Sequence, residues 1–156
     1  MKKIIVFSTL LILLNIPFIC ASEKANQRLL DAAKSGNLAA IRAALYSEGV
    51  NVNATNDWNE SALHLLARQG TADAMLELFQ KGARADIKDR DGRTAFHWAA
   101  ERGQIAAMLL LLQNGANKDA KDNWALTAAS IAKSHGHTTD YEKALQQWQA
   151  KSEKTS

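Results

Sequence analysis

The chain has 156 residues, of which 47% are hydrophobic and 22% charged, and its formal net charge is +3. That length sets one domain as the starting expectation, and that balance excludes a wholly disordered chain. A single cysteine, Cys20, excludes a disulfide framework within the chain and a multi-cysteine zinc site.

The chain begins "MKKIIVFSTLLILLNIPFICAS". Lys2 and Lys3 precede an apolar run from Ile4 to Ile16, and Ala21 is a small residue suited to the position before a signal-peptidase cut. A cleaved signal peptide over 1–21 is the expectation, although Ile19 is not ideal at the third position before the cut. The run is short for an uncleaved membrane anchor. A lipoprotein signal would want small residues where Phe18 and Ile19 precede Cys20. Cleavage near Ala21 removes Cys20, Lys2 and Lys3, so Lys+Arg falls from 19 to 17 against 16 acidic residues. The formal charge is then near +1, with no electrostatic footprint for nucleic acid. The Lys-Lys start suits bacterial export. The mature protein is therefore expected in the periplasm or secreted, with no membrane association after cleavage.

Beyond the leader the sequence is periodic. Glycines fall at Gly36, Gly70, Gly103 and Gly136, and a second series at Gly49, Gly82 and Gly115, with spacings of 34 or 33 residues. "LLDAAKSGNLAAIRAALYSEGVNVNA" aligns over "LHLLARQGTADAMLELFQKGARADIK", "FHWAAERGQIAAMLLLLQNGANKDAK" and "ASIAKSHGHTTDYEKALQQWQ". This divides an expected domain over 22–150 into units at about 26–55, 56–88, 89–121 and 122–150, with a flexible tail at 151–156.

Within each unit, Ser61, Thr94 and Thr127 stand where a helix N-cap hydroxyl is wanted. A helix of about two turns should follow, ending where Gly70, Gly103 or Gly136 supplies a left-handed residue. A second helix then runs to the second glycine. In the third unit it is "QIAAMLLLLQN", apolar nearly all round, and must lie buried between neighbours. Polar stretches such as "ANKDAKDNWA" suit tight turns. The last helix, "TTDYEKALQQWQ", keeps Tyr141, Ala144, Leu145 and Trp148 on one stripe, as an end unit requires. No unit can bury its apolar faces alone, so the units must stack. The expected fold class is all-α, a solenoid of helix–turn–helix units joined by hairpin-like loops.

The motifs "SALHLLARQG" and "TAFHWAAERG", with "GARAD" and "GANKD" closing their units, resemble the ankyrin repeat over about Asn26 to Gln149. Ala62, Ala95 and Ala128 stand where that family has proline, and Leu30 and Ser130 take its histidine position in the outer units. The resemblance implies that His64 and His97 belong to a structural set with Ser61, Gly70, Thr94, Gly103, Thr127 and Gly136, the histidines tying loops and units together. It also implies a concave surface, built from turn tips and first helices, that grips another protein.

The residues that vary at fixed repeat positions are the candidates for that surface. They are Asp57, Trp58 and Glu60, then Arg90, Asp91 and Arg93, then Asn123, Trp124 and Leu126 around the turns. Arg68, Gln69, Glu101 and Arg102 join them near the ends of first helices. Trp58 and Trp124 lead this set, since Trp and Arg are the residues most enriched among interface hot spots. Trp98 aligns with Leu65 and Ile131 and is expected to pack between units.

The expected function is a monomeric protein-binding module that protects, assembles or inhibits a partner protein, with no cofactor, metal or catalysis. An immunity protein against a toxin and a secreted effector that binds a host protein are alternatives using the same surface. A metal-dependent or acid–base enzyme built on His97 and Glu101 is the remaining reading. His135 and His137 lack the companions of a tetrahedral metal site at familiar spacing.

Overall fold

The computed structural model describes residues 21–154. The expected signal segment up to residue 20 and the last two residues lie outside the described residues. Among the described residues the structure is helical, with α1 at 21–35, α2 Leu38–Leu45, α3 Ala62–Gln69, α4 Ala72–Gln80, α5 Ala95–Glu101, α6 Ile105–Gln113, α7 Ala128–Ser134 and α8 Thr138–Ser152. The last of these runs two residues into the segment expected as a tail, and Ser152 Oγ donates to the Gln149 carbonyl.

Each first helix begins where the hydroxyl residue predicts. Ser61, Thr94 and Thr127 are all extended N-caps. In α3 and α5 a histidine at the third helical position reaches back to the cap: the backbone N–H groups of Ser61 and Thr94 donate to Nδ1 of His64 and His97, both at 3.1 Å. This is a capping box with imidazole in place of the usual Glu or Gln. In α7, which lacks the histidine, the Thr127 hydroxyl accepts from the Ser130 N–H instead. Gly70 ends α3 at φ 77°, a left-handed residue whose N–H bonds the Leu66 and Ala67 carbonyls. A side chain there would also collide with Gln104 of the next unit's loop, so glycine serves both conformation and close approach.

The helices form two layers. First helices pack as α3–α5–α7, and second helices as α2–α4–α6–α8. One core runs between them, through Leu29 and Leu30 of α1, Leu63 and Leu66, Met75 and Leu78, Phe96, Met108 and Leu111, and ends on Tyr141 and Ala144. Phe96 and Tyr141 meet ring to ring at 6.0 Å, which ties the third unit to the last. The predicted stripe on α8 faces this core, with Leu145 and Trp148 partly buried against it. On α6, Ala107, Met108, Leu111 and Leu112 are buried as expected, while Leu109 and Leu110 are half-buried and Ala106 is exposed. The helix is enclosed on its sides by α4 and α8 but not all round.

The turns between units repeat as closely as the helices. Backbone bonds Asn56 N–Glu60 O, Asp89 N–Arg93 O and Asp122 N–Leu126 O close the three tips at 2.9–3.0 Å. The fourth residue of each tip takes a positive φ: Asn59 at 63°, Gly92 at 74° and Ala125 at 61°. Asparagine and glycine tolerate that region, whereas alanine is strained by about 1 kcal/mol or more. Ala125→Gly should therefore raise the stability of the fold by about 1 kcal/mol, read as a higher midpoint in urea unfolding. A lower midpoint would contradict the strain.

Candidate functional site

The tips are organised by one side chain each. Oδ1 of Asn56 accepts the backbone N–H of Trp58 and of Glu60, at 2.9 and 3.0 Å. Oδ1 of Asp89 does the same for Asp91 and Arg93, and Oδ1 of Asp122 for Trp124 and Leu126, all at 2.9 Å. Asp89 and Asp122 are buried. Two N–H donors offset part of the desolvation that a buried carboxylate suffers. Sequence reasoning saw these positions only as polar turn residues. Their 33-residue spacing, shared with the glycines, was the available signal.

Successive tips are then tied together. Arg90 N donates to the Trp58 carbonyl and Asn123 N to the Asp91 carbonyl, both at 3.0 Å. Asn123 Nδ2 also donates to the Arg90 carbonyl at 2.9 Å. The tips and the first helices meet in one face, joined by Trp98 with Asp89 and by Arg93 with Glu101.

The two framework histidines are buried beneath that face. Because His64 Nδ1 accepts an N–H, its proton sits on Nε2, which donates to the Arg93 carbonyl of the next unit at 3.2 Å. Burial holds His64 below the usual histidine value of 6.5, against the opposing pull of the Arg93 carbonyl and of Asp89 and Glu60. His97 is lowered in the same way by burial, opposed by the Leu126 backbone and Asp122. His97 and Glu101 bond to different partners. His97 is committed to the cap of α5, and Glu101 to an ion pair with Arg93 at 2.9 Å. Among the described residues there is no group of three or more His, Cys, Asp or Glu residues that could hold a metal ion. His135 bonds the Ile131 carbonyl at its helix end, and His137 pairs with Asp140 at the start of α8.

The candidate surface residues divide by what they touch. Trp58 and Trp124 remain 64% and 60% exposed, so neither ring is folded away over a neighbouring loop. Each has a guanidinium above it: Arg90 over Trp58 at 5.3 Å and Arg93 over Trp124 at 6.0 Å. Asp57, Asp91, Arg102 and Leu126 are exposed, and Arg68 and Glu60 are half-exposed, the latter accepting from Asn56 Nδ2. Four residues also carry structural bonds. Gln69 donates to the Ala33 and Lys34 carbonyls and so closes the end of α1. Asn123 serves the tip ladder. Arg93 and Glu101 neutralise each other with only 22% and 15% of their side chains exposed, and Arg102 adds a looser contact to Glu101 at 3.8 Å.

Trp98 meets the preceding unit, but less deeply than its alignment suggests. Its aligned positions, Leu65 and Ile131, are only 2% exposed each, whereas Trp98 is partly buried. The indole is too large for the slot and emerges on the tip face. There its Nε1 donates to Asp89 Oδ2 at 2.8 Å, and the Arg68 guanidinium lies over it at 5.1 Å. Trp58, Glu60, Asp89, Arg90, Asp91 and Trp98 line an open cleft of about 300 Å³. A larger hollow of about 550 Å³ lies between α1 and α2 at the start of the stack, lined by small residues, Arg28 and Asp31.

A family model described as ankyrin repeats, in three copies, matches residues 29–122. The chain belongs to the ankyrin-repeat family. No curated protein matches it. The match covers the first three units, and the structure stacks a fourth helix pair, α7–α8, on the same core. Ankyrin repeats are protein–protein interaction modules. Among the described residues no helix is long and apolar enough to cross a membrane.

Two predictions follow from these bonds. Asp89→Asn should keep the ankyrin tip, because Asn56 performs the same task, but should lose the clamp on Trp98. A cost of about 1–2 kcal/mol is expected, with a shifted Trp98 indole N–H resonance. An unmoved resonance would refute the clamp. Secondly, the unfolded histidines bind protons below about pH 6.5 while buried His64 and His97 resist them. Stability should be full above that pH and fall as the pH drops through it. Melting temperature should decline between about pH 7 and 5.5, and the decline should shrink in His64→Gln. An equal decline in that variant would assign the effect elsewhere.

Proposed function

We propose that this ankyrin-repeat protein is exported and grips a periplasmic partner protein through its tip face, as a monomer and without chemistry of its own. One observation carries the reading: two indoles, Trp58 and Trp124, stand exposed on the first and third of three linked tips. A large apolar ring left in water is a cost, and interfaces recover it. The Arg68 and Arg90 guanidiniums over Trp98 and Trp58 add the second residue type that hot spots favour. The ladder of tip hydrogen bonds supports preorganisation, so docking would order little backbone. The Lys-Lys start and the apolar run to Ile16 support export and a periplasmic site of action. Holding a partner there would protect, assemble or restrain it.

The test is affinity capture of the mature protein from periplasmic extract, with partners identified by mass spectrometry. Trp58→Ala and Trp124→Ala should each weaken capture, by about 2 kcal/mol if they are hot spots, and leave thermal unfolding nearly unchanged. Undiminished capture with a lowered melting temperature would make the rings structural and sink the reading.

A further inference from the structure

Resting on that reading, we propose that the cleft between Trp58 and Trp98 receives an arginine side chain of the partner protein. Two indoles belong to its lining, and an indole face attracts a cation. The molecule already displays this preference three times on the same face, with Arg68 over Trp98, Arg90 over Trp58 and Arg93 over Trp124. The lining charge points the same way. Glu60, Asp89 and Asp91 contribute three carboxylates against Arg90 in the lining and Arg68 over the Trp98 ring.

The carboxylates are not equivalent. Asp89 is spent internally, on two backbone N–H groups and the Trp98 indole. Glu60 gives Oε2 to Asn56. Asp91 is exposed, and its carboxylate has no hydrogen bond or ion pair among the described residues. It is therefore the acceptor that an incoming guanidinium would meet at the rim, while the stem and the planar head lie along the rings. A guanidinium suits this arrangement better than an ammonium. Its fork matches a carboxylate, and its flat face stacks on an indole while its edge still donates. Held between Glu60 and Asp91, the incoming charge is also balanced against Arg90, which would otherwise repel it.

The experiment is an NMR titration of the mature protein with N-acetyl-arginine amide, following the Trp58 and Trp98 indole N–H resonances. N-acetyl-citrulline amide, of the same shape without the charge, and tetramethylammonium serve as comparison probes. Saturable shifts at both indoles with the arginine probe alone are expected. Asp91→Asn should weaken that binding by about fivefold or more, and Trp58→Ala should abolish it. Trp124→Ala should leave it intact. Equal shifts with citrulline would overturn the proposal by removing the charge requirement. Stronger binding of tetramethylammonium would replace the partner arginine with a small free cation. No shift with any probe would overturn it outright. A partner captured through Trp124 with no arginine response would leave the protein-binding reading standing and remove this cleft from it.

Discussion

Once in every 33 residues a single side-chain oxygen accepts two backbone N–H groups, and the working face of this protein hangs on that bond pair. The helices have a hydrophobic core to hold them. The tips have none, and a polar loop that leaves the stack loses conformational freedom without burying apolar area. Oδ1 of Asn56, Asp89 and Asp122 supplies the compensation by closing each tip into one shape. Because the shape recurs, the tips can bond to one another, through Arg90 to Trp58 and Asn123 to Asp91. The result is an extended polar ladder that presents indoles and charges in fixed order.

One imidazole connects that ladder to the core. His64 caps its own helix with Nδ1 and holds the next tip's Arg93 carbonyl with Nε2. Only a neutral ring can do both, since Nδ1 must accept while Nε2 donates. Burial favours that neutral form by lowering the affinity of both imidazoles for a second proton.

The sequence displays most of this architecture because repetition multiplies each signal. Ser61, Thr94 and Thr127 identified helix starts, and the glycine series identified helix ends, since one backbone geometry recurs with one residue choice. Alignment separated His97 from Glu101 for the same reason. Alignment failed where a residue's size departs from its column. Trp98 shares a slot with Leu65 and Ile131, but an indole cannot be accommodated in a leucine-sized space, so it turns outward and becomes part of the cleft. Pairing between variable residues was also out of reach. Arg93 and Glu101 lie eight residues apart, beyond a single helical face, and only the folded tip brings them to 2.9 Å. The bonds of Gln69 were out of reach too, because the carbonyls it meets belong to the previous unit.

The junction between the third and fourth units shows what happens when the repeat loses one member of this set. Asp89 Oδ2 is bonded by the Trp98 indole, whereas Asp122 meets no indole, because Ile131 stands at the matching position. Its Oδ2 approaches Arg93 Nε only to 3.7 Å, outside hydrogen-bond range. His97 Nε2, Arg93 Nε and Asp122 Oδ2 are all buried with no hydrogen-bond partner among the described residues. A buried polar group left unpaired costs about 1–3 kcal/mol, and at this junction the ion pair of Arg93 with Asp122 and the bonds of Asn123 to the preceding tip stand against that cost. The last unit is also attached on the apolar side, through Tyr141 against Phe96 and through Ala144, Leu145 and Trp148. In a stack whose stability is a sum over neighbours, that division has a functional consequence. Trp58, Trp98 and the cleft lie at the junction of the second and third units, while Trp124 sits on the tip beside the unpartnered groups. The charge and the aromatic rings are thus most concentrated away from the junction that carries those groups.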